Sequence, residues 1–356
     1  MAGKKKHEKR QYDKILKRRW RRGAVGHYLG FLFKLVLTLV VALILGLHCM
    51  FCGPSPTIRD ILTMSVTESS ALKFVPYLFM TPDAVHEIIE RCALIEPDED
   101  TDTSLITIKA NNSVKADTSL ETESAEEEKE EAIQLYPVKG TTYCGYMMIV
   151  QDPSRVFVGV SSDDFRSSGL TIDAIAARYG AVGGINANGF DDPNGSGDGG
   201  KPIGTVVSNG NIMKVDPNYT AAGFDQNNIL HVGKFTEEKL KELGIRDAAA
   251  WGPALVVNGE AAQVSDTQTG LNPRSAIGQR ADGAVLMLFI DGRHANSLGA
   301  SYSDIIDIML QYGAVNACNL DGGYSAIMYL NGERVSDILD LEQSRRMPSA
   351  FLIRGE

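Results

Sequence analysis

Three segments of the chain place acidic, basic and amide side chains among glycines, next to short apolar runs. These segments are Gly183–Asp192, Arg274–Gly278 together with Asp291–His294, and Asn319–Ser325. Carboxylates and histidines can transfer protons or attack a substrate, while arginines and amides bind polar ligands. Glycine beside such a group lets a ligand approach the backbone closely. Simple turns have similar compositions, so the argument for a site depends on the three segments together.

The order and spacing of these segments resemble the phosphodiester glycosidase family. That family has the motifs G-x-N-A-x-x-F, R-[ST]-A-[IV]-G, D-G-R after a strand, and N-L-D-G-G-x-S. The matching stretches are Gly184-Ile-Asn-Ala-Asn-Gly-Phe190, Arg274-Ser-Ala-Ile-Gly278, Asp291-Gly-Arg293 and Asn319-Leu-Asp-Gly-Gly-Tyr-Ser325. The resemblance covers roughly residues 140–356, and residues 1–135 have the layout of bacterial membrane-anchored members. Tyr324 is a departure, because many relatives have a small residue there.

The resemblance implies hydrolysis of a sugar-1-phosphodiester at the anomeric carbon, which gives a free sugar and a phosphomonoester. Such a reaction passes through an oxocarbenium-like state and needs a carboxylate to attack or to activate water. Phosphate is a good leaving group, so a cation that holds it matters more than a strong acid. We predict Asp321 as nucleophile or base, Asp291 as the second carboxylate, and Arg274 and Arg293 as phosphate holders. The other predicted substrate-binding residues are Asn186, Asn188, Asn319, Gly322, Gly323 and Ser325.

One glycine-rich loop raises the question of a metal. Oxygen side chains at Asp192, Asn194, Ser196 and Asp198 have the alternating spacing of calcium loops, but the glutamate that follows in an EF-hand is missing. A flexible flap over the site and a plain loop are the alternatives, so calcium stays open and no cofactor is certain. The six histidines form no zinc motif, and there is no P-loop sequence.

The elements that must position these residues indicate an α+β fold with mixed, largely antiparallel sheets and two main helices. The predicted helices, Thr171–Tyr179 and Ser303–Tyr312, are each followed by a glycine suited to a left-handed C-terminal cap. Tyr146–Val150 and Arg155–Val160 are predicted strands. Three Asn-Gly pairs between apolar runs, at residues 209–210, 258–259 and 331–332, predict hairpins.

A weak internal repeat includes both helix ends. The pattern Y-G-A-V-x-x-x-N begins at Tyr179 and again at Tyr312, and in this frame Asn188 corresponds to Asp321. Coincidence is one interpretation. The other is a pair of related helix–strand units that deliver Asn186, Asn188, Asn319 and Asp321 to one cleft.

The N-terminal region is typical of a membrane anchor. Residues 1–34 have a formal charge of +10 and residues 35–356 one of −20, while Leu35–Phe51 contains no charged residue. With Lys34 snorkelling, the apolar stretch reaches the roughly 20 residues needed to cross a bilayer. No cleavage site for a signal peptide follows, and the residues before Cys49 are too large for a lipoprotein signal. We therefore expect a single-pass protein with a cytosolic N-terminus and an extracellular catalytic domain.

The predicted organisation has five parts. They are a basic arm (1–34), a transmembrane anchor (35–52), a juxtamembrane helical segment (53–96), an acidic disordered linker (97–132) and the catalytic domain (133–356). Residues 97–131 contain 12 acidic residues against 3 lysines, too few apolar groups to offset the entropy of ordering. A disulfide between Cys144 and Cys318 stays open.

The expected partners are a carbohydrate phosphodiester or an envelope polysaccharide, with the membrane contacted through one helix. Nucleic acid is not expected, because the basic arm directly abuts the apolar stretch. The first alternative function is a module on the same fold that binds anionic polysaccharide without cleaving it. A second is an assembly protein for polysaccharide export. The negative outer region disfavours long-range attraction of an anionic substrate, so local arginines would have to overcome it.

Overall fold

The computed structural model describes residues 2–69, 71–108, 131–264, 270–336 and 345–355. The chain divides into two compact units, Met1–Arg59 and Asp60–Glu356. Most of the predicted linker, residues 109–130, and part of the region after the last predicted motif, residues 337–344, lie outside the described residues.

The first unit consists mainly of one long helix. α1 runs from Ala2 to Cys52, and its stretch His27–Cys52 has 26 residues and includes an 18-residue window with a mean hydropathy of 2.6. At 1.5 Å per residue this stretch is about 39 Å long, enough to cross a bilayer core of ~30 Å. An apolar helix at this position is a membrane anchor or a signal sequence. The side chains of the predicted basic arm before residue 27 lie outside the described residues.

The other helices and the strands of the described residues are short. The helices are α2 (Pro56–Thr67), α3 (Pro82–Arg91), α4 (Ile172–Tyr179), α5 (Glu237–Glu242) and α6 (Tyr302–Gln311). The strands are β1 (Ile133–Lys139), β2 (Cys144–Val150), β3 (Val156–Val160), β4 (Ala181–Asn186), β5 (Val206–Ser208), β6 (Asn211–Lys214), β7 (Ala221–Asp225), β8 (Leu230–Gly233), β9 (Ile245–Ala250), β10 (Ala254–Val257), β11 (Glu260–Ala261), β12 (Arg274–Arg280), β13 (Val285–Ile290), β14 (Ala314–Asn319), β15 (Met328–Leu330), β16 (Glu333–Val335) and β17 (Ser349–Arg354).

The strands form three sheets, which confirms the α+β prediction. Sheet I has the order β1-β2-β13-β12-β14-β10-β11, sheet II β16-β15-β4-β17-β3, and sheet III β6-β5-β9-β7-β8. All of the strand pairs described are antiparallel. Because several neighbours in each sheet are distant in sequence, residues from remote motifs come together at the strand ends.

The three sheets share one apolar core, and each has a helix on its other face. The shared core contains Met287 of sheet I, Ile185 of sheet II and Phe224 of sheet III, all fully buried. α6 packs its isoleucines on sheet I, α4 packs on sheet II, and α5 packs Leu240 on sheet III. Because the strands of these sheets are buried on both faces, their sequences are nearly continuous apolar runs.

The predicted turns and helix ends are confirmed. Each Asn-Gly pair joins two antiparallel strands: β5 to β6, β10 to β11, and β15 to β16. In all three turns both residues have positive φ, for example 50° at Asn209 and 76° at Gly210, as a two-residue hairpin turn of this type requires. α4 ends at Gly180, whose φ of 63° lies in the left-handed region, and Gly313 after α6 has a φ of 83°.

The two helix–strand units of the internal repeat meet at their strand ends. α4 leads into β4 of sheet II, and α6 leads into β14 of sheet I. Just beyond β14, the N–H of Asp321 donates to the carbonyl of Ala187 at 3.1 Å. The side-chain amide of Asn186 donates to the carbonyl of Asp321 at 2.6 Å. The polar ends of the two strands are therefore bonded directly to each other.

The segment before residue 109 contributes contacts to the second unit. The Glu96 carboxylate accepts hydrogen bonds from the Thr220 hydroxyl at 2.5 Å and from the Ala254 N–H at 2.7 Å. Farther along, the N–H of Thr107 donates to the carbonyl of Ala281 at 2.8 Å, and Ile106 is buried. The first 12 residues of the predicted disordered linker, 97–108, thus lie on the folded unit.

All five cysteines are free thiols, so Cys144 and Cys318 are not joined. Cys318 is buried in β14, and burial raises the pKa of its thiol. A cysteine in this environment is an inert part of the core.

Candidate active site

The second unit contains a cleft of about 1530 Å³ at the ends of sheets I and II. Eight of the residues predicted for the site line it: Arg274, Asp291, Arg293, Asn319, Asp321, Gly322, Gly323 and Ser325. They follow or begin strands β12, β13 and β14, which are neighbours in sheet I although distant in sequence. The pairing of these strands therefore brings three separate motifs together in the lining of one cleft.

Asp321 is fixed by its backbone and by the groups around its carboxylate. Its N–H and carbonyl are bonded to Ala187 and Asn186, so the residue joins the ends of β14 and β4. Burial raises the pKa of the carboxyl to about 7, against the opposing effect of hydrogen bonds from Ser325 and the Gly322 N–H. A carboxyl with a pKa near neutrality can take or give a proton at physiological pH.

An ion pair between Arg345 and Asp192 affects the pKa of Asp321. Arg345 pairs with Asp192 and lies over the ring of Phe190, 4.6 Å from its centre. The positive charge of Arg345 lowers the pKa of Asp321, while the negative charge of Asp192 raises it. Removal of either partner would therefore change the protonation of Asp321.

The second carboxylate, Asp291, follows β13. Its Oδ1 accepts the N–H of Gly292 at 2.8 Å, and its Oδ2 accepts the Ser336 hydroxyl at 3.0 Å. The Nε2 of His294 is 3.4 Å from Oδ1. Both side chains are mostly buried, with 17% of Asp291 and 23% of His294 exposed. His294 therefore faces the carboxylate within the cleft and is not the solvated loop residue that its sequence context favours.

Arg293 has a backbone conformation that marks it as part of a built site. Its φ is 64°, a left-handed value that costs a residue with a side chain about 1 kcal/mol or more. The guanidinium lies over the ring of Tyr324 at 4.7 Å, and Nη2 donates to the Asn272 Oδ1 at 3.1 Å. Burial lowers the pKa of Arg293. A Cβ at Gly323 would be 3.2 Å from Nη2, so glycine there leaves room for the guanidinium.

Arg274 has the contacts of an internal brace. Its side chain is 4% exposed, donates to the carbonyls of Ala300 and Gly270, and lies 4.1 Å above the ring of Tyr302. Nη2 also forms an ion pair with Glu68 at 2.9 Å. Burial opposes the charge, but the attraction of Glu68 dominates and raises the pKa of Arg274. With these partners in place, Arg274 is less accessible to a phosphate than Arg293.

Glu68 is a cleft residue that the sequence argument missed. Its Oε2 accepts a hydrogen bond from the Asn272 side chain at 2.7 Å, besides pairing with Arg274. Asn272 in turn accepts from Arg293, so one carboxylate orients both arginines, one directly and one through an amide. Glu68 lies more than 200 residues before its partners and outside every motif, so no local pattern identifies it.

The three asparagines have different positions. Asn186 and Asn188 are buried behind the lining: Asn186 accepts from the Ser275 hydroxyl and the Ile327 N–H, while the amide of Asn188 donates to three backbone carbonyls. These contacts brace the junction of the sheets. Asn319 lines the cleft, and its Oδ1 is buried without a hydrogen-bond partner. Its Nδ2 donates to the carbonyls of Gly252 and Leu320, so Oδ1 is the part of the side chain that is left without a partner.

An aromatic wall completes the cleft. Trp251 lines it and stacks on Tyr219, with ring centres 6.2 Å apart. A Cβ at Gly189 would lie 2.0 Å from the indole, so only glycine at this position accommodates Trp251. Trp251 was also missed, although it is the only tryptophan after residue 20.

The loop considered for calcium uses its carboxylates within the protein. Asp192 accepts from the Gly197 N–H at 2.6 Å and pairs with Arg345. Asp198 accepts from Gly200 and Ser168. The side chain of Asn194 lies outside the described residues. Among the residues that are described, no group of three His, Cys, Asp or Glu side chains is arranged to hold a metal.

Comparisons with known proteins identify relatives of this chain. The chain is 30% identical over 205 residues to the SPbeta prophage-derived protein YomE of Bacillus subtilis, which covers 53% of the chain and 29% of that protein. It is 27% identical over 157 residues to the N-acetylglucosamine-1-phosphodiester alpha-N-acetylglucosaminidase of Bos taurus, covering 38% of the chain and 30% of the relative. The chain thus spans less than a third of the length of these two relatives.

A solved structure and a family model extend the comparison. The zebrafish N-acetylglucosamine-1-phosphodiester alpha-N-acetylglucosaminidase catalytic domain, described as auto-inhibited by its pro-peptide, has a TM-score of 0.52 and 17% identity over 65% of this chain and 87% of that one. This likeness supports the fold. The family model described as phosphodiester glycosidase matches residues 179–354, which include all four motifs. The chain belongs to the phosphodiester glycosidase family.

Proposed function

We propose that this protein hydrolyses a sugar-1-phosphodiester between the anomeric carbon and the phosphate oxygen. The observation that carries the proposal is that Asp321, Asp291 and Arg293 line one cleft, in which burial raises the pKa of Asp321 to about 7. Two carboxyl groups in different environments are what glycoside hydrolysis requires. The relative from Bos taurus is named for such a reaction, with N-acetylglucosamine as the sugar.

Asp321 is the base in this mechanism. In its ionised form it takes a proton from water as the water oxygen bonds to the anomeric carbon. The bond from that carbon to the phosphate oxygen breaks, and its electron pair leaves with the phosphomonoester. Asp291, held by Gly292 and Ser336, stabilises the positive charge that develops on the sugar. The products are the free sugar and the phosphomonoester.

Arg293 holds the departing phosphate. Its guanidinium lies in the cleft, it has one hydrogen bond to Asn272 and one ring contact to Tyr324, and its left-handed backbone directs it there. Arg274 supports it from behind through Glu68 and Asn272. This division of roles differs from the sequence-based prediction, in which both arginines hold the phosphate.

The sugar binds between Asn319 and the aromatic wall. The amide of Asn319 is held in the wall of the cleft by hydrogen bonds from Nδ2 to the carbonyls of Gly252 and Leu320. Trp251 offers a flat apolar face, and its position is fixed by Gly189 and Tyr219. N-acetylglucosamine is one sugar of suitable size.

The membrane context is also part of the proposal. α1 is retained as an anchor, with the N-terminus in the cytosol and the second unit outside, because the basic arm precedes the apolar stretch. A substrate in the cell envelope or in an exopolysaccharide fits this location.

The test is hydrolysis in H₂¹⁸O by the full-length protein in detergent, with UDP-N-acetylglucosamine and other sugar-1-phosphodiesters. Attack at the anomeric carbon puts ¹⁸O in the sugar and yields UDP from this substrate. Attack at either phosphorus puts the label in a phosphate group and leaves the sugar unlabelled, whether the nucleotide product is UMP or UDP, and this result would contradict the proposal. Asp321→Asn should abolish turnover. The matched control Asp282→Asn, in the β12–β13 turn, should retain it.

The same assay is repeated with a chelator, and loss of sugar release would show that a metal takes part.

The alternative function is a module that binds polysaccharide without cleaving it. Protein that is folded and binds envelope polymer, but releases no sugar from any substrate, would favour this alternative.

A further inference from the structure

The segment after α2 exposes a compact group of large apolar side chains. Leu72, Phe74, Tyr77 and Leu78 are 49%, 56%, 41% and 68% exposed, and we call these four residues the apolar tip. All four fall within seven consecutive positions of the chain. On soluble proteins, contiguous apolar patches mark sites of interaction with a protein, a ligand or a membrane.

Several backbone N–H groups in and beside the apolar tip are paired locally. The N–H groups of Val75 and Leu78 donate to the carbonyls of Leu72 and Val75 at 2.9 and 3.1 Å. Phe79 and Lys73 donate to Pro76 and Ser69 at 3.0 and 3.1 Å, and Pro76 has no N–H. Each of these bonds lowers the cost of bringing the segment to a lipid surface, where an unpaired N–H group is unfavourable.

A small core holds the apolar tip in place. Met64, Ile88 and Cys92 are buried together, with Met80 packed against them. Pro76 at the base of the tip is also buried. The exposed side chains of the tip therefore lie between residues that are packed into the second unit.

The position of the apolar tip in the chain points to the membrane. Nineteen residues separate Cys52, the end of α1, from Leu72. The tip combines leucines and aromatic rings with Lys73, the composition of segments at the boundary between lipid tails and head groups. Ala71, which adjoins the tip, lines the cleft together with Glu68.

We propose that the apolar tip inserts into the outer surface of the bilayer and holds the mouth of the cleft at the lipid head groups. This inference rests on the proposed function. It implies that the substrate is a sugar phosphodiester in which the phosphate links the sugar to a membrane lipid. A carbohydrate esterified to a lipid phosphate would present its anomeric carbon to Asp321 and its phosphate to Arg293, while its hydrocarbon stays in the bilayer.

The contact is tested by fluorescence of the full-length protein in phosphatidylcholine vesicles. Tyr77→Trp adds a reporter on the apolar tip, and the matched control Tyr136→Trp replaces a tyrosine of equal exposure, 42%, on β1. The emission of the wild-type protein, which comes from Trp20 and Trp251, is subtracted from that of each variant. Lipids brominated in their acyl chains should quench the reporter at 77 several-fold more than the one at 136, and its emission should shift to shorter wavelength. Equal quenching at both positions would overturn the proposal.

The substrate class is tested by a second variant. Leu72→Ser combined with Leu78→Ser should reduce hydrolysis of a lipid-linked sugar phosphate in the vesicles several-fold and leave a water-soluble sugar phosphodiester unaffected. The control, Leu105→Ser with Leu310→Ser, changes exposed leucines elsewhere. Equal loss on both substrates would refute the lipid-linked substrate. If neither substrate is cleaved by any variant, the proposed function fails, and quenching at residue 77 still decides the membrane contact.

Discussion

Asp321→Asn should make the protein more stable at alkaline pH while it removes activity. Asp321 has an ordinary carboxyl pKa near 3.8 in the unfolded chain and a pKa of about 7 in the folded protein. Between these values the folded state keeps a proton that the unfolded state has lost. The free energy of unfolding therefore falls as pH rises through this window, because the folded state must bury a charge above it. Asparagine has no charge to bury, so the variant avoids this loss.

The size of the effect follows from the shift. A difference of about three pH units, at 1.36 kcal/mol per unit, is at most about 4 kcal/mol above pH 7. Asparagine accepts the hydrogen bonds from Ser325 and Gly322 less well than a carboxylate, at a cost of about 1 kcal/mol. The variant should therefore gain about 3 kcal/mol at pH 8 and lose up to about 1 kcal/mol at pH 4.

Urea unfolding of the full-length protein in detergent measures this difference. Near-ultraviolet circular dichroism follows the second unit, which contains Trp251 and most of the tyrosines. The wild-type protein and the variant are compared between pH 4 and pH 8, and the difference in unfolding free energy is plotted against pH.

Asp225→Asn is the control of opposite sign. Burial of Asp225 is outweighed by hydrogen bonds from His231 and from the N–H groups of Ile229 and Asn227, which lower the pKa of this carboxyl. Its contribution to stability is present above the unfolded pKa and is lost as pH falls through the folded value. This variant should be destabilised near neutral pH. If wild type and Asp321→Asn show parallel stability curves from pH 4 to pH 8, burial does not raise the pKa of Asp321 and the assignment of the base is wrong.

Three other measurements test the surroundings of this carboxyl. The kcat/KM of the wild-type enzyme should fall as pH decreases below about 7, because the base must be ionised; a flat profile down to pH 5 would contradict the role of Asp321. Arg345→Ala should move this acid limb to higher pH, because the positive charge of Arg345 lowers the pKa of Asp321. Glu68→Ala should reduce the free energy of unfolding by about 2 kcal/mol, since it leaves Arg274 buried without its counter-charge. The exposed control Glu87→Ala should change it by less than about 0.5 kcal/mol, and equal effects would refute the bracing role.

Local patterns were sufficient to predict much of the fold. Each Asn-Gly turn requires two residues with positive φ and joins adjacent strands, so its hairpin depends on a few neighbouring residues. The same holds for the glycines after α4 and α6. The order of strands within the sheets was not predictable in this way. β2 pairs with β13 and β3 with β17, and these partners are selected by the packing of the whole core.

The roles of individual polar residues were harder to infer than their location. Asn186 and Asn188 belong to the motif that identifies the family, yet both amides are used to join backbone segments behind the cleft. Asparagine has donors and an acceptor on a short side chain, so it serves equally well as a brace or as a ligand contact. Only the three-dimensional arrangement distinguishes Asn188 from Asn319, whose Oδ1 has no partner in the protein.

The acidic linker shows where composition misleads. Residues 97–108 contain few apolar groups, but they are placed on the second unit by backbone and side-chain hydrogen bonds, such as that from the Asp102 N–H to Asn258 at 2.7 Å. Average hydrophobicity reports whether a segment can form its own core. It does not report whether the segment can lie along an existing one, as this segment does with Ile106 buried.

The catalytic domain predicted from the sequence begins at residue 133, close to the start of the family resemblance near residue 140. In the structure, the contacts of Glu68 with Arg274 and of Glu96 with Ala254 place two carboxylates of the predicted juxtamembrane segment within the second unit. Because Glu68 also accepts from Asn272, which accepts from Arg293, the segment from Asp60 helps to position the arginines of the proposed phosphate site. The same segment follows the apolar helix in the chain, so that a retained membrane anchor would be followed directly by residues that line the cleft.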